Sequence, residues 1–180
     1  GALNEFLTKR LNVWVNAESA WMNMLQWDAC ADPSLKEADF AGEECWIALD
    51  AAFKKDLFAK MKVFRRDRDY YVFGRYYLPQ AALSQKGGES FAAWERDGWI
   101  RVTPGEVLDI EVVRDELLGA GEPRTGGDAS RFEVQECAFD PFQLAQFSGE
   151  LIEAGLEMVE LRPTVLNFSP AMKEVAELVA

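Results

Sequence analysis

The sequence predicts a mixed α/β fold in which a five-stranded sheet is flanked by helices. Three β-type segments follow one another between residues 45 and 78 with tight turns between them, which predicts an antiparallel meander. Two further strands, near residues 132–139 and 156–161, alternate with helical segments. Hydrophobic residues make up 49% and charged residues 28% of the 180 residues, which places the chain among ordinary globular proteins.

The first three strands are apolar segments bounded by charged turns. Cys45–Leu49 is continuously apolar, which is typical of a central strand covered on both faces, and Asp50 follows it. After the turn at Lys54, Lys55 and Asp56, the second strand alternates and places four residues on one face: Leu57, Ala59, Met61 and Val63. The third strand spans residues 70–78, which are rich in Tyr, Phe and Val.

Helices are predicted from capping residues and apolar spacing. One helix spans about residues 17–30 and another about 90–97, while the spacing of Thr103 and Glu106 predicts a capping box that opens a helix through residue 118. Residues 119–130 are predicted to form a mobile loop. Pro141 begins a helix to about residue 154, and Ser169-Pro170 begins the last helix. That helix reaches Ala180 without a stop signal, which predicts truncation.

Composition excludes several kinds of chemistry. The chain has no histidine, which excludes Ser-His-Asp and Cys-His catalysis and histidine metal sites. The three cysteines, Cys30, Cys45 and Cys137, are far apart and are interpreted as reduced core thiols. A net charge of −12 argues against tight nonspecific binding of nucleic acid. No apolar run predicts a membrane span or a signal peptide.

Asp50 and Asp140 are the candidate catalytic residues and metal ligands. Each follows a predicted strand, and if these strands are parallel neighbours, both carboxylates emerge at the same edge of the sheet. Paired carboxylates repel each other unless a cation lies between them, and two Mg²⁺ or Mn²⁺ ions are a usual device for phosphodiester cleavage. The order of elements is that of a ribonuclease-H-like fold.

Five segments in the same order resemble the large subunit of phage terminases. They are Thr8–Val15, Ala48–Leu57, Val102–Asp109, Phe139–Phe142 and Phe168–Glu174. The second resembles the Gly-Leu-Asp-Leu-Ser-Ser-Thr-Asn-Asp-Leu block of that family, and the fourth its Tyr-Asp-Pro-Trp motif. The resemblance implies that Asp50 and Asp140 bind metal. The sequence departs from the family at residues 51–55, where Ala-Ala-Phe-Lys-Lys replaces a polar run.

The resemblance also implies a domain organisation and partners. Residues 1–41 would be an arm that joins an absent upstream ATPase domain, and residues 42–180 would be the nuclease domain, with a further metal-binding residue beyond Ala180. The expected substrate is double-stranded viral DNA, and the expected partners of the parent protein are the terminase small subunit and the portal. The expected location is the cytoplasm of a bacterial host of a phage or prophage.

Each candidate residue also has a structural interpretation. Asp140 before Pro141 is a natural N-cap, and Asp50 can begin a turn. Asp56 and Asp109 are weaker metal candidates, since the first suits a hairpin turn and the second a solvated helix surface. Lys54 and Lys55 are candidates for DNA binding, although turn lysines usually contact only water. The tryptophans are interpreted as core anchors rather than as base-stacking surfaces.

Two other functions remain open at this level. One is a noncatalytic ribonuclease-H-like module that docks to a packaging motor or portal through its tryptophan-rich arm. The other is a metal-dependent hydrolase of small phosphate compounds.

Overall fold

The computed structural model describes residues 22–54, 56–84, 89–121 and 125–180, and in this part of the chain one sheet contains six strands. Their order across the sheet is β4-β3-β2-β1-β5-β6. The strands are β1 (Glu44–Asp50), β2 (Phe58–Arg66), β3 (Asp69–Pro79), β4 (Ile100–Thr103), β5 (Glu133–Phe139) and β6 (Met158–Glu160). The mixed α/β fold is confirmed, with one strand more than predicted.

Strand direction brings most carboxyl ends to one edge of the sheet. Within the described sheet, β2 is antiparallel to β1 and β3, whereas the pairs β3–β4, β1–β5 and β5–β6 are parallel. The predicted meander of three strands and the parallel neighbours β1 and β5 are therefore confirmed. The additional strand β4 pairs with β3 between residues 76–79 and 100–103.

Seven α-helices occur in the described ranges. They are α1 (Met24–Ala29), α2 (Gln80–Leu83), α3 (Glu89–Arg96), α4 (Ile110–Leu118), α5 (Asp128–Arg131), α6 (Pro141–Glu153) and α7 (Val165–Val179), and a 3-10 helix spans Glu37–Phe40. The prediction of an uninterrupted loop over 119–130 is wrong, because α5 begins at Asp128.

Three helix starts differ from the predictions. Helix α1 begins after Asn23, whose extended backbone and side-chain bond to Leu25 form the N-cap; residues 17–21 of the predicted helix lie outside the described residues. The capping-box prediction at Thr103 is wrong, because Thr103 ends β4 and Gly105 has a φ of 102°. Asp109 is instead the N-cap of α4.

The last helix begins earlier than predicted. Thr164 is its N-cap, and the Thr164 side chain accepts a hydrogen bond from the backbone nitrogen of Asn167 at 3.3 Å. Pro170 therefore lies inside α7 rather than at its start. The Ser-Pro pair is a typical start signal, but here the threonine cap upstream determines the helix boundary.

The two faces of the sheet differ. One face, here called the helix face, carries the buried residues Cys45, Ile47 and Leu49 of β1 and contacts α4, for example through a hydrogen bond from Tyr77 to Glu116 at 2.5 Å. The opposite face carries Asp50 and is called the Asp50 face. Since Ala48 and Asp50 are exposed, the prediction that β1 is covered on both faces is wrong.

The Asp50 face has its own apolar cluster at the β3–β4 side. Leu78, Ala82 and Ile100 are buried there, and Leu57, Tyr76, Leu83, Phe91 and Val102 pack against them. Helices α2 and α3 therefore contribute to this face, whereas α4 contributes to the other. Helices on both faces were predicted.

The chain divides into two units. The larger, Lys36–Arg162, contains the sheet; the smaller consists of Gly1–Leu35 and Pro163–Ala180 and includes α1 and α7. In the smaller unit, the Gln26 side chain donates a hydrogen bond to the Ala180 carbonyl oxygen at 2.9 Å. Among the described residues, none of the helices has the length and hydropathy of a bilayer-spanning segment.

The cysteines fit the core interpretation in two of three cases. Cys45 and Cys137 are buried, and burial raises the pKa of each thiol to about 12, which keeps them protonated at neutral pH. Cys30 is exposed, so its interpretation as a core thiol is wrong.

Candidate metal-binding site

Asp50 is the last residue of β1 and lies opposite Ala59 of β2. The alternation of the strand places the apolar residues Cys45, Ile47 and Leu49 in the core and turns Asp50 to the other face. The Asp50 side chain is exposed. An ionised carboxylate at this position therefore needs no buried partner.

Asp140 follows β5 directly and is partly exposed. Its backbone stays extended, with φ −80° and ψ 118°, so the alternation of β5 continues through it. Its Oδ1 atom accepts a hydrogen bond from the backbone nitrogen of Phe142 at 3.1 Å, which makes Asp140 the N-cap of α6. Pro141, at the first helical position, has no backbone N–H that would need a partner.

Register places the two aspartates side by side. Leu49 of β1 pairs with Phe139 of β5, and each aspartate is the next residue on its strand. Because β1 and β5 are parallel neighbours, Asp50 and Asp140 share the Asp50 face at the carboxyl edge, with backbones about 5 Å apart. This is the relationship that the sequence predicted. A carboxylate that accepts one backbone bond keeps a second oxygen that can bind a cation.

The weaker candidates have local backbone roles. The Asp56 side chain accepts a hydrogen bond from the backbone nitrogen of Leu57 at 2.8 Å, which suits the predicted turn. Asp109 is exposed and accepts from the backbone nitrogen of Glu111 at 3.1 Å. Lys54 is exposed in the turn, and Lys55 lies outside the described residues.

The donor set of the candidate site consists of two carboxylates. No group of three or more His, Cys, Asp or Glu side chains suitable for a metal ion occurs within residues 22–54, 56–84, 89–121 and 125–180. Carboxylate oxygens are nevertheless the ligands that Mg²⁺ and Mn²⁺ prefer, and Mg²⁺ is often held by one or two carboxylates together with water and substrate phosphates. Asp50 and Asp140 thus fit a divalent cation.

A buried ion cluster on the helix face was missed by the sequence analysis. Lys60 donates to Asp128 at 2.6 Å and to Glu116 at 3.2 Å, while Lys62 donates to Asp128 at 2.9 Å and pairs with Glu37 at 2.8 Å. Lys60, Lys62 and Asp128 are 1%, 4% and 3% exposed. Charged side chains that are buried to this extent must be paired with opposite charges, and the contacts within the cluster provide that pairing. It lies on the face opposite the aspartate pair.

Glu116 links this ion cluster to Tyr77 of β3 and Arg101 of β4. Burial alone would raise the pKa of Glu116, but the hydrogen bond from Tyr77 and the cations of Lys60 and Arg101 lower it below its ordinary value. The pKa of the Tyr77 hydroxyl is raised, mainly by burial and by its bond to Glu116. At neutral pH, Glu116 is therefore ionised and Tyr77 is protonated, which indicates a structural role for this pair.

The tryptophans depart from the core interpretation. Trp27, Trp94 and Trp99 are 48%, 42% and 69% exposed, so the prediction that tryptophans are core anchors is wrong for these three. Trp94 and Trp99 are among the residues that line an apolar cleft on the larger unit. Sequence alone gave no signal for this exposure, because it depends on how α3 packs against β4.

The fold matches that of a solved structure. The chain matches the crystal structure of the large terminase of bacteriophage HK97 with a TM-score of 0.67 and 21% identity, over 98% of this chain and 36% of that one. The six-stranded mixed sheet flanked by helices thus has the fold of the matched part of that terminase, and the predicted ribonuclease-H-like fold class is confirmed.

Sequence comparison gives the family. Residues 2–180 match the family described as terminase large subunit, endonuclease domain, and the chain belongs to that family. It is 29% identical to protein YmfN of Escherichia coli K12, over 96% of this chain and 39% of that protein. It is 25% identical to the terminase large subunit of Enterobacteria phage HK97, over 97% of this chain and 34% of that protein. The chain therefore spans little more than a third of the length of these relatives.

Proposed function

We propose that this chain is a divalent-metal-dependent DNA endonuclease domain in which Asp50 and Asp140 hold the metal. The observation that carries this proposal is the register of β1 and β5, which brings two carboxylates to adjacent positions on one face. Membership of the terminase endonuclease family supports DNA as the substrate. The remaining ligands would include water and phosphate oxygens of the DNA.

The two aspartates would have different surroundings in this role. Asp50 is exposed at the end of β1, so its carboxylate is free to meet a cation bound at the surface. Asp140 is oriented by its hydrogen bond to Phe142, which fixes one oxygen and leaves the other for the cation. Two Mg²⁺ or Mn²⁺ ions held there would supply an activated water and would stabilise the leaving oxygen of the cleaved phosphodiester.

In the parent protein, we propose that the domain cuts concatemeric viral DNA during packaging. Residues 1–41 would connect it to an ATPase domain, and the small subunit and portal would be partners in the bacterial cytoplasm. These proposals rest on the family and on the share of the relatives that the chain covers.

The test is nicking of supercoiled plasmid DNA in Mg²⁺ or Mn²⁺. Asp50→Asn and Asp140→Asn are expected to abolish nicking and to weaken Mn²⁺ binding measured by titration calorimetry. Asp56→Asn is the matched control, because Asp56 is exposed and bonds only its neighbouring turn residue among the described contacts. A double variant, Asp50→Asn with Asp140→Asn, that nicks as fast as the wild type would refute the assignment.

A noncatalytic docking module is the second candidate. Several large apolar side chains of the smaller unit are exposed, including Leu25 at 73%, Val165 at 82% and Leu166 at 83%. The described residues also lack a group of three metal-ligating side chains. This candidate predicts binding to a packaging-motor protein that is unchanged by metal and by both aspartate variants.

A small-phosphate hydrolase is tested with the same proteins. Metal-dependent turnover of p-nitrophenyl phosphate by a chain that does not nick DNA would favour that reaction over the nuclease.

A further inference from the structure

A row of paired residues crosses the sheet from the aspartates to the β4 edge. Asp50 pairs with Ala59, Ala59 with Tyr76, and Tyr76 with Ile100. Directly paired residues point to the same face of a sheet, so Tyr76 and Ile100 lie on the Asp50 face. Tyr76 is two strands from Asp50 and Ile100 is three strands away.

An apolar cleft of about 350 Å³ lies at the far end of this row. It is lined by Leu57, Tyr76, Trp94, Trp99 and Ile100. Three of the five are aromatic, and the two indole side chains are 42% and 69% exposed. The cleft therefore presents flat aromatic surface to solvent on the same face as the candidate metal site.

Local structure positions the Trp99 backbone and the rings of Trp94 and Tyr76. The backbone nitrogen of Trp99 donates to the Trp94 carbonyl oxygen at 2.8 Å, and the Trp94 ring packs against Phe91 with centroids 5.6 Å apart. The Tyr76 ring lies over Gly74, where a Cβ atom would be 2.7 Å from the Tyr76 hydroxyl oxygen. Two of the three aromatic rings are thus held in place, which reduces the entropy cost of binding a planar group.

Because the chain is acidic, a contact with DNA on this face would have to contribute affinity without relying on charge. The chain carries a net charge of −12, so phosphate attraction is weak overall. Several basic residues are engaged by carboxylates on or near the helix face, among them Lys60, Lys62, Arg101 and Arg131. Stacking on aromatic rings does not need a cation, and it tolerates any base.

We propose that the cleft between Tyr76, Trp94 and Trp99 stacks an unpaired nucleobase of the DNA strand that the aspartate pair cleaves. This inference rests on the proposed function. Strands about 4.7–4.9 Å apart place the cleft roughly 10–14 Å from Asp50. For a strand that keeps the duplex rise of about 3.4 Å per nucleotide up to the unpaired base, the stacked base lies about three or four nucleotides from the cleaved bond.

The geometry also specifies the form of DNA. A base inside a duplex is covered by its neighbours on both sides and cannot enter a cleft, so the ligand must be single-stranded or locally unpaired. The contribution of the cleft to affinity should depend little on salt, because no counterion is released when rings stack.

The experiment measures binding separately from cleavage. Binding of fluorescein-labelled single-stranded and blunt duplex oligonucleotides is measured by fluorescence anisotropy in the presence of Ca²⁺. Quenching of tryptophan fluorescence is recorded separately with unlabelled oligonucleotides. Trp99→Ala should weaken single-stranded binding about 5- to 150-fold and reduce quenching. Trp99→Phe should retain most of the affinity, because it keeps an aromatic ring.

Trp27→Ala is the matched control, since Trp27 is similarly exposed but belongs to the smaller unit. It should bind oligonucleotides as the wild type does. Trp99 is 69% exposed, so its removal should leave urea unfolding unchanged. Trp94→Ala is a second variant of the same cleft and should weaken binding in the same way.

The outcomes separate this inference from the proposed function. If Trp94→Ala and Trp99→Ala bind single-stranded DNA like the wild type while Asp50→Asn fails to nick, the stacking site is refuted and the nuclease stands. If the double aspartate variant nicks normally, the nuclease assignment fails whatever the tryptophan variants do. The stacking site would also be refuted if oligonucleotides did not quench the tryptophan fluorescence of the wild type. It would likewise be refuted if Trp99→Ala lost binding to a protein partner but kept its affinity for single-stranded DNA.

Discussion

Asp140 lies beside Asp50 in the register of β1 and β5 and at the same time caps α6 through its bond to Phe142. One side chain thus has a structural role and a proposed metal-binding role. Removing the side chain altogether would affect both roles, whereas removing only its charge separates them.

Replacement of Asp140 by asparagine should remove metal-dependent nicking but leave stability almost unchanged. Asparagine is as good an N-cap as aspartate, because its side-chain oxygen can accept the bond from Phe142. Asp140→Ala should also lose nicking and should in addition lower the free energy of unfolding by about 0.5–2 kcal/mol. Urea denaturation and plasmid nicking of both variants test this difference.

Asp109 provides the contrast, because it is also an N-cap and exposed. Asp109→Ala should cost about 0.5–2 kcal/mol of stability, and Asp109→Asn should be nearly neutral. Neither should abolish nicking if Asp50 and Asp140 alone supply the carboxylates. Loss of nicking in Asp109→Asn would show that Asp109 belongs to the metal site.

The aspartate pair could be predicted from the sequence because its signals are local. An apolar run ending in Asp50 and a strand followed by Asp140-Pro141 mark two strand ends, and a parallel pairing of those strands is sufficient to bring them together. The start of helix α6 at Pro141 was predicted correctly, since a proline at the first helical position is a strong start signal.

The buried face of β2 and the additional strand β4 could not be predicted, because they depend on tertiary contacts. The sequence pattern indicated that Leu57, Ala59, Met61 and Val63 formed one face. Ala59, Met61 and Val63 do share a face of β2, whereas Leu57 lies just before the strand. The more deeply buried face, however, is Phe58, Lys60, Lys62 and Phe64. Lysine is rarely buried, and only the distant carboxylates of Asp128 and Glu116 make it possible here. Likewise, β4 has four residues, too few for a clear alternation.

Loss of the Asp128 charge should destabilise the protein strongly. Asp128→Asn leaves two nearly fully buried lysine ammonium groups with weakened pairing, which should cost about 3–5 kcal/mol in urea denaturation. The triple variant Lys60→Met, Lys62→Met, Asp128→Leu should recover most of that loss, because apolar residues of similar size can replace a buried ion pair. A triple variant less stable than Asp128→Asn would contradict this interpretation.

Acid should weaken the link made by Glu116. Its folded-state pKa lies below its ordinary value of 4.5, so the stabilisation that it contributes is present above that value and is lost as pH falls through the folded-state pKa. Glu116→Gln should therefore lower stability at pH 7 and flatten its decline below about pH 4.5. Urea midpoints from pH 3 to pH 7 test this, and an equally steep decline in both proteins would refute it.

Gly127 should be intolerant of a side chain because two backbone segments cross there. A Cβ atom at Gly127 would lie 2.1 Å from the backbone nitrogen of Gly119 and 2.7 Å from the carbonyl oxygen of Leu117. Its φ of −78° suits alanine, so the effect of Gly127→Ala is steric and not conformational. We expect a loss of about 1–3 kcal/mol in urea denaturation, because the shift also displaces the neighbouring Asp128 from its lysines.

Gly149 is the matched control for Gly127. It lies inside α6, and a Cβ atom there would meet nothing within 4 Å. Gly149→Ala should stabilise the protein by about 0.5–1 kcal/mol, because alanine loses less conformational freedom in a helix. If Gly127→Ala lowers the free energy of unfolding and Gly149→Ala raises it, the constraint lies in the backbone crossing that positions Asp128. Changes of the same sign in both variants would exclude that explanation.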